Sequence, residues 1–185
     1  MTIKENISFA VSVVGADRPG IVAAITEVLF RLGCNISDSS STMLAGQFAT
    51  ILIVTHTKPF GKEQLEAELG KVCKQMEMTL SVRELNNGEA RRGETEGEIC
   101  QITVYGADQP GIVYHVANTL AVHQINIMDL QTKLAGTKTE PVYIMLLEAA
   151  LPDNLVPDDL EKLLSGVKSE LQVEIGVRLI TPVEL

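Results

Sequence analysis

"GADRPGIV" at residues 15–22 returns as "GADQPGIV" at residues 106–113. Seven of the eight letters agree, and the one exchange sets Gln109 against Arg18. The echo runs on in both directions at the same 91-residue offset. Upstream, Phe9, Val11 and Val13 fall opposite Cys100, Ile102 and Val104. Downstream, Asn35-Ile36 falls on Asn126-Ile127, and Asp38 on Asp129. A loop repeated together with its flanks marks an internal duplication, and that reading precedes any assignment of single elements.

Between the copies lies "NNGEARRGETEGE", residues 86–98, with three glycines, alternating charges and no large apolar side chain. Such a stretch is expected to be a solvated linker. The expected organisation is therefore one domain over 1–85, a linker over 86–98 and a second domain over 99–185. Each domain has roughly 85 residues, small but sufficient to fold alone or against its twin.

Within each copy the apolar period switches in a fixed order. Ile7, Phe9, Val11 and Val13 alternate, which predicts a strand over 7–14. From Pro19 to Leu32, Ile21, Ile25, Val28, Leu29 and Leu32 recur at three- and four-residue steps. This predicts an amphipathic helix with proline near its first turn and Gly33 as its stop. Strands follow over about 35–43 and through "FATILIVTH", joined by the turn signal "LAG". Leu65, Leu69, Val72, Cys73 and Met76 predict a second helix, and "MTLSVREL" a closing strand. The second copy repeats this with strands near 99–105, 126–134, 141–149 and 172–180 and helices over 111–122 and 158–170.

The order βαββαβ predicts an α+β chain of two tandem ferredoxin-like domains. Each has an antiparallel four-stranded sheet with two helices on one face. The other face stays open and needs cover, for which the twin unit is the expected partner.

Composition narrows the function. Hydrophobic residues make up 45% of the chain, enough for a core, while the net charge is −9 and the pI near 4.8. Direct nucleic-acid binding is disfavoured, because phosphate contacts need clustered Lys and Arg, and the pair Arg91-Arg92 is flanked by glutamates. Cys34, Cys73 and Cys100 form no C-x-x-C spacing and are expected to be buried free thiols of a reducing compartment. "MTIKENISF" lacks a signal-peptide apolar region, and no apolar run approaches a membrane span. The expected location is cytoplasmic, with no membrane partner.

The repeated loop carries the chemistry. At a strand-to-helix junction, proline sets φ and lacks an N–H that a helix start leaves unpaired. Glycine admits a close neighbour because it has no Cβ. The N–H groups of Gly20, Ile21 and Val22 would then point out of the positive end of the helix dipole, where a carboxylate is a natural guest. Asp17 beside them offers the opposite charge to an ammonium group. Together these groups suit a free amino acid. A second reading stands beside it: Asp17 caps the helix and Pro19-Gly20 only makes a tight turn.

The element order, with "GADRPGIVAAITEVLFRLGCNISD" and "GADQPGIVYHVANTLAVHQINIMD", resembles two tandem copies of the ACT domain, a small regulatory module that typically binds amino acids. The resemblance spans nearly the whole chain. It implies that Asp17 and Asp108 meet a ligand's polar end, while the backbone at Gly20-Ile21 and Gly111-Ile112 faces ligand or an adjoining module. Arg18 and Pro19, like Gln109 and Pro110, complete the two loops. Asn35 and Asn126 match the position opening the second strand, which contacts ligand in amino-acid-binding members. A turn role before the strand is the other reading of both asparagines.

The function this implies is non-catalytic. The chain would sense an amino acid, glycine among the candidates, and act through a partner regulatory protein on transcriptional control of amino-acid metabolism, as a homo-oligomer. The alternative is an oligomerisation or scaffolding module without ligand binding. The exchange of Arg18 for Gln109 removes a cation beside the proposed anion site, so the first loop is expected to prefer the more acidic ligand or to bind more tightly. No cofactor, metal site or catalytic residue is expected. His115 and His123 lack a completing ligand, His56 lies in the other copy, and "SDSSST" at 37–42 has no paired base. No Gly-rich phosphate cradle occurs.

Overall fold

The computed structural model describes residues 7–57, 61–86, 97–137, 139 and 141–180. The chain divides into two compact units between residues 94 and 95. Most of the segment read as a linker, residues 87–96, lies outside the described residues.

In the first unit, β1 (Ile7–Ala16), α1 (Ile21–Arg31), β2 (Asn35–Leu44), β3 (Gln47–His56), α2 (Lys62–Gln75) and β4 (Thr79–Leu85) follow one another. The second unit repeats them as β5 (Ile99–Gly106), α3 (Ile112–Val122), β6 (Asn126–Gly136), β7 (Pro141–Ala150), α4 (Pro157–Leu171) and β8 (Glu174–Ile180). The sheets run β2-β3-β1-β4 and β6-β7-β5-β8, every pairing antiparallel. Both first-edge strands carry a register shift at matching points, Ile36/Asp38 and Ile127/Asp129. The duplication thus preserves even the irregularity.

Each unit has its own core on the helix-covered face of its sheet. In the first, Phe9, Val11 and Val13 of β1 and Val54 of β3 meet Ile21, Ile25 and Leu29 of α1 and Leu65 and Leu69 of α2, all buried. In the second, Cys100, Ile102 and Val104 meet Val116, Leu120, Leu160 and Leu164 in the same way. The alternation read from the sequence therefore points inward as expected. On the opposite face Val14 and Ile51 are exposed.

One boundary differs from expectation. The first motif helix starts after the glycine, not at the proline, and the second starts at 112 against the expected 111: Gly20 and Gly111 are the N-caps, with φ of 95° and 102°. Pro19 and Pro110 therefore precede the helix. A left-handed backbone at the cap strains any residue with a Cβ, which is why glycine holds that place. At the other end, Gly33 (φ 73°) closes α1, its N–H donating to Phe30 O while the N–H of Cys34 donates to Leu29 O. This is the Schellman pattern. Gln124, at φ 58°, closes α3 with the same two bonds, from Gln124 to Ala121 and from Ile125 to Leu120.

Candidate functional site

The strand directions decide what the motif loops can reach. β1 ends beside the β2–β3 hairpin, since Ala16 pairs with Gln47, which in turn pairs with Leu44. The turn from α2 into β4 lies there too, because Val14 pairs with Thr79. Residues 17–20 thus sit among three connections, and the amide of Asp17 donates to Gly46 O at 2.9 Å.

This setting assigns the letters of the motif to different jobs. Gly15 is required by close approach: a Cβ there would lie 2.9 Å from Met78 Cγ. Its counterpart Gly106 is tighter still, at 2.6 Å from Val173 Cγ1. Gly20 is required by its positive φ, with nothing within 4 Å of a hypothetical Cβ. Ile21 and Ile112 are buried in their cores. These residues are explained by the fold. The carboxylates of Asp17 and Asp108 are not: both residues are exposed, and neither α1 nor α3 has a side-chain cap. The capping reading of Asp17 therefore does not hold. The first N–H groups of each helix have no partner within the helix, and each aspartate lies three residues before the glycine N-cap.

Arg18 and Gln109 perform one task by different chemistry. The Arg18 guanidinium lies 3.6 Å from the Glu77 carboxylate, in the turn after α2. Gln109 Nε2 donates to Leu171 O at 2.6 Å, at the end of α4. Each side chain tethers its loop to the end of the unit's second helix. The Arg18 charge faces the Glu77 carboxylate in a largely exposed pair.

Asn35 and Asn126 stand elsewhere. Asn35 pairs with Thr55 near the opposite end of β3 from Gln47, and Thr55 Oγ1 donates to Asn35 O at 3.5 Å. Asn126 pairs with Ala150, seven strand positions from Tyr143, the partner of Gly106. Seven or eight residues of strand span about 23–26 Å, well beyond the length of an amino acid. The structure thus brings together Asp17, Arg18, Pro19, Gly20 and Ile21, and likewise Asp108, Gln109, Pro110, Gly111 and Ile112. It leaves the asparagine of the same unit at the far end.

Two further groups border the second loop. Tyr143 of β7 pairs with Gly106 and packs, half-buried, on the helix-facing side of the sheet. Burial pushes its hydroxyl above the ordinary value of about 10; a hydrogen bond with Thr132 works in the opposite direction, and the charge of Asp108 adds to the rise. Tyr143 carries no motif in the sequence. Only the repeat alignment, which sets it against Phe48, could have drawn attention to it.

Known proteins share this fold. The ACT domain model matches residues 8–83 and again residues 98–178. The chain belongs to the ACT domain family. As a tandem ACT protein it is similar to the glycine cleavage system transcriptional repressor of Escherichia coli (strain K12), 23% identical over 182 residues, covering 97% of this chain and 94% of that one. A solved structure of an unknown protein from Galdieria sulphuraria superposes with a TM-score of 0.77 at 28% identity, covering 96% of this chain and all of that one, at 100%. A second, provisionally assigned as a glycine cleavage system transcriptional repressor, reaches 0.73 at 18% identity over 96% and 99% of the two chains. This second likeness concerns the fold.

Among the described residues, no three His, Cys, Asp or Glu side chains gather to hold a metal. No helix among them is long and apolar enough to cross a membrane. Cys34, Cys73 and Cys100 are free thiols, half-buried or buried, and burial pushes all three above the ordinary thiol value.

Proposed function

We propose that this chain is a non-catalytic, amino-acid-sensing regulator built from two ACT modules, residues 1–85 and 99–185, joined by the linker 86–98. Each module would hold an α-amino acid at its motif loop, Asp17–Ile21 or Asp108–Ile112. The observation that carries this reading is the pair of exposed aspartates, each in the loop that runs into a helix start without a side-chain cap. The Asp carboxylate would take the ligand's ammonium group, and the first-turn N–H groups its carboxylate. Asn35 and Asn126 would meet a loop-held ligand across an interface between copies of the chain, which fits a homo-oligomer.

Similarity to a transcriptional repressor over nearly the full length of both chains supports a regulatory role. The proposed output is contact with a partner regulatory protein, without direct nucleic-acid binding, acting on amino-acid (glycine cleavage) metabolism in the cytoplasm. Ligand would change that contact only through different affinities for the bound and free states.

Calorimetry of the full chain against the common amino acids, glycine and serine included, tests the reading. Binding is expected, with loss of one site in Asp17→Asn and of the other in Asp108→Asn. No heat and no thermal stabilisation at millimolar ligand would refute sensing and leave an oligomerisation module.

A further inference from the structure

The two loops share their backbone, but the sheet surface beneath each carries different chemistry. In the second unit, Tyr143 stands on the helix-facing side of β7 at the register of Gly106, with Thr132 of the edge strand β6 beside it. The Tyr143 hydroxyl is hydrogen-bonded to Thr132 and feels the charge of Asp108. These three side chains come from the motif loop, the central-neighbour strand and the edge strand. Thr132 is exposed.

In the first unit, Phe48 occupies the register of Tyr143, since it pairs with Gly15. It brings no hydroxyl. Ser41 is the counterpart of Thr132, but its Oγ lies 2.8 Å from Thr50 Oγ1. Thr50 is buried and donates in turn to Ser40 O at 3.1 Å. Thr50 replaces Met145 of the second unit, as the pairings Ser41–Thr50 and Thr132–Met145 show. One module therefore presents a phenol and a hydroxyl next to its loop carboxylate. The other presents a phenyl ring and a serine already engaged within the sheet.

We propose that Tyr143 and Thr132 make the second module selective for α-amino acids with a short hydroxyl or amide side chain, while Phe48 and the engaged Ser41 restrict the first to glycine or small apolar ones. This rests on the amino-acid reading of the loops given above. With the ammonium on Asp108 and the carboxylate on the α3 start, the ligand's side chain is the group left to face β6 and β7. A phenol can donate one hydrogen bond and accept others, so Tyr143 can pair with Thr132 and with a ligand hydroxyl together. A ligand without the hydroxyl forgoes that hydrogen bond, and the difference is the selectivity. The difference between the modules thus lies at Phe48 against Tyr143, and not at Arg18 against Gln109, whose side chains tether the loops.

The test isolates each site within the full chain. In Asp17→Asn protein, calorimetry with L-serine and L-alanine reads the second site alone, and serine is expected to bind about tenfold more tightly, the worth of one hydrogen bond. Adding Tyr143→Phe should bring the serine-to-alanine ratio near one. In Asp108→Asn protein the first site should favour alanine or glycine, and adding Phe48→Tyr should shift it toward serine. An unchanged serine preference after Tyr143→Phe, or identical preferences at the two sites, overturns the proposal with amino-acid binding intact. Absence of heat from wild-type protein with either ligand and with glycine overturns the amino-acid reading itself, and the selectivity with it.

Discussion

Replacing Gly106 by alanine tests whether the first glycine of the motif is held by packing. The new Cβ would sit 2.6 Å from Val173 Cγ1, 3.2 Å from its Cβ and 3.4 Å from its Cα. Val173 is buried and its amide is held by Lys168 O at 3.2 Å, so the backbone cannot simply withdraw. A forced methyl in a packed site costs about 1–3 kcal/mol, offset by about 0.4–1 kcal/mol from the stiffer unfolded chain. The expected net loss is about 1–2 kcal/mol. Val173→Ala alone removes two methyl groups and leaves a cavity, costing about 2 kcal/mol. In the double variant the alanine methyl at 106 occupies the space that Cγ1 vacated. Its total cost should therefore stay near that of either single change, giving a coupling of about 1–2 kcal/mol.

Urea unfolding followed by tyrosine fluorescence is the assay, because Tyr105, Tyr114 and Tyr143 are the chain's three tyrosines and all lie in the second unit. Costs that add to within about 0.5 kcal/mol would refute the packing argument and return Gly106 to a role in admitting ligand. The matching change in the first unit, Gly15→Ala, followed by circular dichroism because that unit has no tyrosine, should cost less, because the nearest atom is the Cγ of the adaptable Met78 side chain at 2.9 Å.

Three further outcomes follow from the same geometry. Gln124→Gly should stabilise the second unit by about 0.5–1 kcal/mol by relieving a left-handed backbone, whereas Gly33→Ala should destabilise the first by about 1 kcal/mol; urea midpoints check both. Arg18→Ala should cost under about 1 kcal/mol, and less in high salt, since Glu77 is 85% exposed. Gln109→Ala should cost about 1 kcal/mol without that salt dependence. The buried thiols set a pH limit. Their native pKa values lie above the unfolded thiol value of about 8.5, so the native state binds more protons than the unfolded chain above that pH. Stability should then fall as pH rises through the thiol range, and a urea midpoint unchanged between neutral pH and the alkaline side of that range would contradict it.

The sequence alone determined the duplication, the element order and the inward face of the first motif helix. These are local signals: Phe9, Val11 and Val13 alternate within one strand, and Ile21, Ile25 and Leu29 recur within one helix, so neither reading needs a distant partner. Gly33 at the end of α1 is legible for the same reason. Tertiary structure decided the rest of the candidate site. Gly15 and Gly20 look alike in the motif, yet Met78 constrains one and a positive φ the other, and Met78 lies 63 residues along the chain from Gly15. Arg18 reads as a free cation until the turn after α2 brings Glu77 to 3.6 Å. Asp17 and Asn35 read as one site until β2 is seen to begin at the far end of the sheet. Tyr143 belongs to no motif, and only its pairing with Gly106 sets it at the second loop. Each of these depends on strand direction and register, which arise from contacts between remote segments and leave no period in either segment alone.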